Sequence, residues 1–155
     1  MTSLFADRAL RRMVILLILT DFFWGIATFF VLPSTTIPAY LGSLGASPAI
    51  IGVMAVALMA LPLAMQFIAR PVLHRFSHRK NGLVIIHLAA IVPYFIIPVL
   101  DLLFAGNHPL LITLILLLLA YSQLALGLAI PVWLDMVAQV IPLPVRGQYF
   151  GTASA

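Results

Sequence analysis

Residues 110–131 read LLITLILLLLAYSQLALGLAIP, a stretch without a single Asp, Glu, Lys or Arg. A helix needs about 20 apolar residues to cross the roughly 30 Å hydrocarbon core of a bilayer. Three more stretches have comparable length and apolar character, at about 13–32, 50–69 and 83–104. The sequence therefore predicts an all-α fold, a multi-pass transmembrane helical bundle with four spans.

The basic residues are distributed unevenly around these stretches. All eight lie before the first stretch, between the second and third, or after the fourth: Arg8, Arg11, Arg12; Arg70, Arg75, Arg79, Lys80; and Arg146. If every stretch crosses the bilayer, all of them lie on one face, which the positive-inside rule identifies as cytoplasmic. We therefore predict that both termini are cytoplasmic and that the chain lies in the cytoplasmic (plasma) membrane, the cell inner membrane.

The composition excludes several classes of protein. The chain is 64% hydrophobic and 8% charged, whereas soluble domains are roughly 45–50% apolar and about 25% charged. The lipid bilayer is thus a predicted partner, and the net charge of +4 indicates topology and attraction to anionic lipids rather than nucleic-acid binding. Without cysteines, and without a phosphate-binding loop, a metal-ligand spacing or a nucleophile motif, we predict no enzyme, no metal and no cofactor.

The composition predicts the structure of two connections and the nature of the first apolar stretch. Residues 33–48 are uncharged and rich in Pro, Gly and Ser, which predicts an external loop with little regular structure, ending in a Ser47 cap and a first-turn Pro48. Residues 70–81 are predicted to form a basic cytoplasmic loop. The first stretch is longer than the roughly 7–15 apolar residues of a signal peptide, so we interpret it as a retained span.

Asp21 is the acidic residue inside the first predicted span. A charge at the centre of a membrane helix costs about 2.5–3.5 kcal/mol on insertion scales, so the carboxyl group is expected to face a cavity or a partner. One interpretation is a proton or cation relay, or a contact to a cationic substrate. The other is a packing hydrogen bond to a polar group on another helix, and the sequence leaves both open.

Polar and small residues mark two further helices. Gln123, together with Tyr121 and Ser122, places polar groups in the middle of the fourth span, as part of a translocation path or as interhelical hydrogen bonds. In the second span, small residues at helical spacing predict a face for close helix packing or, alternatively, a sliding surface between moving bundles. These residues are Ala57, Ala60 and Ala64, which Gly52 extends loosely.

Two segments resemble motifs of the major facilitator superfamily. The family carries G-x-x-x-D-[RK]-x-G-[RK]-[RK] between its second and third helices. Here the stretch RPVLHRFSHRK (70–80) has basic residues at Arg75 and Arg79, followed by Lys80, but lacks both glycines and the acid. The better match is P-x-x-x-R-G after the fourth helix, carried by Pro142, Arg146 and Gly147.

Gln139 stands where sugar-transporting members of the family have an acid, so the resemblance does not indicate a sugar porter. It implies about twelve helices in two six-helix halves. Residues 1–155 would be a single membrane domain, part of the N-terminal half, whose partner is the remainder of the transporter. The first and fourth helices would line the cavity and the second would lie between the halves.

The implied function is secondary active transport of a small solute by alternating access, with no transport expected from this chain alone. Substrate, direction and coupling ion are not readable from the sequence. One alternative is a four-helix small multidrug exporter acting as a dimer, which an acid in the first helix fits but the long loops and the P-x-x-x-R-G tail do not. Another is a non-transporting membrane scaffold subunit, in which Asp21 and Gln123 only hold helices together.

Overall fold

The computed structural model describes residues 8–30, 35–73 and 79–153. These residues form six helices and no strand: α1 (Arg8–Phe30), α2 (Thr36–Ser43), α3 (Pro48–Leu73), α4 (Arg79–Phe104), α5 (His108–Val140) and α6 (Leu143–Ala153). The all-α prediction is confirmed.

Three helices in the described part of the chain are long and apolar enough to cross a membrane. They cover Pro48–Ala69, Lys80–Phe104 and His108–Val140, with mean hydropathies of 2.2, 2.5 and 2.2. They correspond to the second, third and fourth predicted spans and characterise a membrane-embedded helical protein. The first predicted span coincides with α1 as far as Phe30, but it is not among these three helices. Its crossing of the bilayer, and the side on which the termini lie, stay predictions.

The segment between the first two predicted spans contains more structure than its composition suggests. Helix α2 forms within residues 33–48, so the prediction of a loop with little regular structure is wrong there. Ile37 and Leu41, one helical turn apart, are both buried, and such i,i+4 apolar pairs stabilise a short helix against its neighbour. Helix α2 packs on α3, which supplies the surface that a composition-based assignment does not see.

The turn from α2 into α3 is a regular helix stop followed by a helix start. Gly45 has φ +87, a left-handed conformation that favours glycine. Its N–H donates to the Gly42 carbonyl (3.0 Å), and the Ala46 N–H donates to the Leu41 carbonyl (2.9 Å), which is the Schellman pattern. The Ile50 N–H then donates to Ser47 Oγ at 3.4 Å. The predicted cap at Ser47 and first-turn position of Pro48 are confirmed.

The end of α3, the start of α4 and the end of α5 each lie beyond the bounds of the predicted spans. Helix α3 continues to Leu73 and α4 begins at Arg79, so residues 70–73 and 79–81 of the loop predicted at 70–81 are helical. Residues 74–78, which include Arg75, lie outside the described residues. Helix α5 continues through Pro131 to Val140. Pro131 removes one backbone donor, and membrane helices tolerate that loss where neighbours satisfy the carbonyl.

The chain divides into two compact units. One is Pro33–Trp133; the other combines Met1–Leu32 with Leu134–Ala155. In the first unit, buried side chains recur along one face of α5, at Leu111, Ile115 and Leu119. In the second unit, α1 packs against α6. The buried apolar side chains there are Val14, Leu17, Val137, Ile141 and Val145, together with Tyr149.

Candidate functional site

The junction between α5 and α6 is organised by the proline and arginine of the P-x-x-x-R-G segment. Pro142 has no N–H, so the carbonyl four residues earlier, at Ala138, loses its helical donor. Arg146 Nη2 donates to that carbonyl oxygen at 2.7 Å. The same guanidinium also donates to the Ile141 carbonyl, from Nη2 at 3.1 Å and from Nε at 3.4 Å. The four-residue spacing therefore has a physical reason, because the arginine replaces the donor that the proline removes.

This arrangement ends α5 and begins α6. The last carbonyls of a helix lack intrahelical donors and carry partial negative charge, which a cation stabilises. Arg146 thereby stabilises the end of α5 next to the turn into α6. Gly147, the third residue of the segment, is exposed, and a Cβ atom built on it would meet no atom within 4 Å. The structure gives no steric reason for glycine at that position.

Tyr149 lies one helical turn beyond Arg146 and joins α6 to α1. Its side chain is fully buried, at 0% exposure, and its hydroxyl donates a hydrogen bond to Asp21 Oδ2 at 2.7 Å. Asp21 is half-buried and lies one turn after Leu17 on the same face of α1. The acid of the first predicted span thus has a partner on another helix, and the pair forms the candidate functional site.

The sequence did not indicate Tyr149 as a site residue. Tyrosine is enriched at membrane–water interfaces, and an interfacial position for Tyr149 predicts no bond to Asp21. The signal that points toward such a bond is the cost of an unpartnered acid in a span. It states that a partner is needed without stating which residue supplies it.

The polar residues of the fourth predicted span lie in the other unit, and the structure does not bring them together on one surface. Tyr121 is 51% exposed, whereas Gln123 is 7% exposed. Between them, the fully buried Ser122 donates from Oγ to the Ala90 carbonyl at 2.7 Å, which ties α5 to α4. The interhelical hydrogen bond predicted for this cluster is therefore present, and Ser122 makes it.

The small residues of α3 do not mark its closest helix contact. Among them, Ala60 and Ala64 are exposed, and Gly52 has open space around it. The close approach is instead at Gly127 of α5, where a Cβ atom would lie 2.5 Å from the Pro62 oxygen and 2.7 Å from the Met65 Cβ. A lone glycine in a leucine-rich stretch was the available signal for this contact.

The N-terminal halves of α3 and α5 enclose an apolar groove of about 520 Å³. Ala57 lies in its wall together with larger side chains such as Val53, Leu61 and Leu116. The hydroxyl of Thr113, also in the wall, already donates to the Pro109 carbonyl at 2.9 Å. The wall of the groove is thus almost entirely apolar.

The remaining predicted site residues can be placed briefly. Arg79 begins α4, and Lys80 after it is exposed. Gln139 Nε2 donates to Asp135 Oδ2 at 3.2 Å, within one turn of α5. Across the described ranges, no group of three or more His, Cys, Asp or Glu side chains could hold a metal ion.

A polar contact links Tyr40 of α2, which lies outside the spans, to Asp101 near the end of α4. The Tyr40 hydroxyl hydrogen-bonds to the Asp101 carboxylate. Burial, and then this hydrogen bond and the negative charge of Asp101, raise the pKa of Tyr40 to about 12. Each factor favours the neutral phenol over the phenolate.

Comparison of the chain with protein-family models, curated proteins and solved structures found no match.

Proposed function

We propose that this chain is part of a secondary active transporter of a small solute that works by alternating access, with the rest of the transporter as its partner. The observation that carries the proposal is the 2.7 Å hydrogen bond from Tyr149 to Asp21. Ionisable residues within membrane helices commonly belong to proton relays or substrate pathways. The order of charges and motifs along the chain, similar to that of the major facilitator superfamily, supports the same conclusion.

The Asp21–Tyr149 pair has the chemistry of a coupling element. A carboxylate accepts a strong, charge-assisted hydrogen bond from a phenol. A proton or a cation that binds Asp21 competes for the same oxygen and weakens the bond that joins α1 to α6. An ion could thereby shift the balance between two arrangements of these helices, which is what coupling between sites requires.

We further propose four spans, with α1 as the first, and both termini on the cytoplasmic side of the cytoplasmic membrane. The support is the placement of all eight basic residues in three groups, according to the positive-inside rule. The chain has no cysteine, so single cysteines can be introduced at exposed positions. On intact cells, an impermeant maleimide should label Asn107→Cys and Ser43→Cys but not Lys80→Cys or Gln148→Cys. Labelling of the last two would overturn this topology.

The coupling role is tested in the whole transporter. Proteoliposomes with a trapped pH-sensitive dye are exposed to a panel of solutes, and a solute that moves protons is identified as a substrate. Asp21→Asn should abolish the solute-driven proton movement, while Asp135→Asn, the matched acid in α5, should retain it. Unchanged proton movement in Asp21→Asn would remove Asp21 from the mechanism and favour a packing role. The chain on its own should show no solute uptake.

A further inference from the structure

The first turns of α1 carry a basic concavity that the proposed function does not use. It has a volume of about 400 Å³ and is lined by five side chains: Arg8, Arg11, Arg12, Ile15 and Leu16. All five are exposed. Within α1 itself the first turn contains no acidic residue, and Asp7, directly before Arg8, lies outside the described residues.

The spacing of these residues places them on one face of the helix in a defined order. Positions i, i+3, i+4, i+7 and i+8 share a face at 3.6 residues per turn. With a rise of about 1.5 Å per residue, the Cα atoms of the two aliphatic residues lie roughly 5–12 Å beyond those of the three arginines along the axis. The concavity is therefore cationic at the end nearer the N-terminus of α1 and apolar about one helical turn further along the helix.

Arg146 shows by contrast how this protein uses an arginine for structure. Its guanidinium donates to backbone carbonyls at the end of α5 and is half-buried. Arg8, Arg11 and Arg12 instead point their charges into an open concavity. Guanidinium groups bind phosphate oxygens through paired, charge-assisted hydrogen bonds. The cationic end of the concavity is therefore suited to a phosphate.

We propose that this concavity binds an anionic phospholipid, with the phosphodiester among Arg8, Arg11 and Arg12 and the start of an acyl chain along Ile15 and Leu16. Charge complementarity selects the anionic headgroup, and the adjoining aliphatic surface selects a lipid over free phosphate. A leaflet rich in anionic lipids attracts basic residues next to a membrane helix. The inference requires that α1 lies in the bilayer, and it does not depend on transport.

The experiment measures lipid binding to the full chain in neutral detergent by native mass spectrometry, with dioleoyl phosphatidylglycerol or dioleoyl phosphatidylcholine added. The anionic lipid should bind more tightly. Each of Arg8→Gln, Arg11→Gln and Arg12→Gln should weaken its binding about five-fold, because each removes a guanidinium group that donates charge-assisted hydrogen bonds to the phosphodiester. Lys80→Gln, which removes an exposed charge from α4, is the matched control and should leave the affinity for the anionic lipid unchanged.

A second pair of variants tests the apolar end. Leu16→Ala should weaken binding of the anionic lipid, while Leu19→Ala, an exposed leucine outside the concavity, should not. Equal binding of the two lipids, or an effect of Lys80→Gln as large as that of the arginine variants, would overturn the proposal. Displacement of the lipid by millimolar inorganic phosphate, with no effect of Leu16→Ala, would show a free-phosphate site instead. Circular dichroism of each variant separates lost binding from lost fold.

Discussion

The hydroxyl of Tyr149 donates a hydrogen bond to Asp21 Oδ2 at 2.7 Å, between residues 128 positions apart in the chain. The tyrosine is fully buried, so its hydroxyl depends on this acceptor, and the acid has a defined partner. The contact joins α1 to α6, the helix that carries Arg146, whose guanidinium donates to carbonyls at the end of α5. The best-matched family motif and the acid of the first predicted span thus belong to one structural unit.

Removing the Tyr149 hydroxyl should destabilise the contact between α1 and α6. In Tyr149→Phe the half-buried carboxylate of Asp21 loses a hydrogen bond of the charged class, and we expect a loss of about 1.5–3 kcal/mol in the free energy of unfolding. Denaturant unfolding in detergent measures it. Tyr121→Phe also removes a tyrosine hydroxyl, but from an exposed side chain. Its free energy of unfolding should stay within about 0.5 kcal/mol of that of the parent protein. Equal effects of the two variants would contradict a structural role for the bond.

The donor replacement at the end of α5 predicts coupling between two substitutions. Arg146→Met leaves the Ala138 carbonyl without a donor. We expect the free energy of unfolding to fall by about 1–2 kcal/mol and amide exchange around residues 139–146 to become faster. Pro142→Ala restores a backbone N–H that can reach the same carbonyl. In the double variant, the cost of losing the arginine should therefore be smaller.

A double-mutant cycle measured by denaturant unfolding checks this coupling. Arg12→Met, which removes an exposed arginine from α1, serves as the control and should be nearly neutral. Strict additivity of Pro142→Ala and Arg146→Met would contradict the explanation of the proline–arginine spacing.

Gly127 should not accept even one methyl group. In Gly127→Ala the new Cβ would lie 2.5 Å from the Pro62 oxygen, which is backbone. The two helices must therefore separate, at a cost of about 1–3 kcal/mol. Gly52→Ala places the same methyl in open space and should be neutral or stabilise α3 by up to about 1 kcal/mol, since alanine is the better helix former. Thermal unfolding of the two variants compares them, and similar midpoints would contradict the close approach.

The Tyr40–Asp101 contact predicts a stability change at alkaline pH. The pKa of Tyr40 is raised in the folded protein from 10.0 to about 12. The stabilisation is therefore fully present below pH 10 and is lost as the pH rises through 12. Tyrosinate absorbance should show one tyrosine titrating near pH 12, which is absent in Tyr40→Phe. In Asp101→Asn the pKa of Tyr40 should fall toward its ordinary value, and an unchanged titration would contradict the assigned partner.

Local patterns predicted much of the fold. The Ser47 cap and Pro48 start are interactions between near neighbours, so they were readable. Helix α2 was missed because its stability depends on burying Ile37 and Leu41 against α3, while the surrounding Pro, Gly and Ser suggested a loop. The fourth predicted span ends at Pro131, whereas α5 continues to Val140, since a membrane helix tolerates a proline where neighbours satisfy the freed carbonyl.

The sequence by itself determined the class of protein, because apolar runs long enough to span a bilayer and clusters of basic residues are properties of the linear chain. It also identified Asp21 as a residue that needs a partner, since the cost of an acid in hydrocarbon does not depend on the fold. Only the tertiary structure decided that Tyr149 is the partner and that Gly127 meets Pro62. Both contacts join helices that are distant in sequence, and their geometry arises from the packing of whole helix faces, which no local pattern contains.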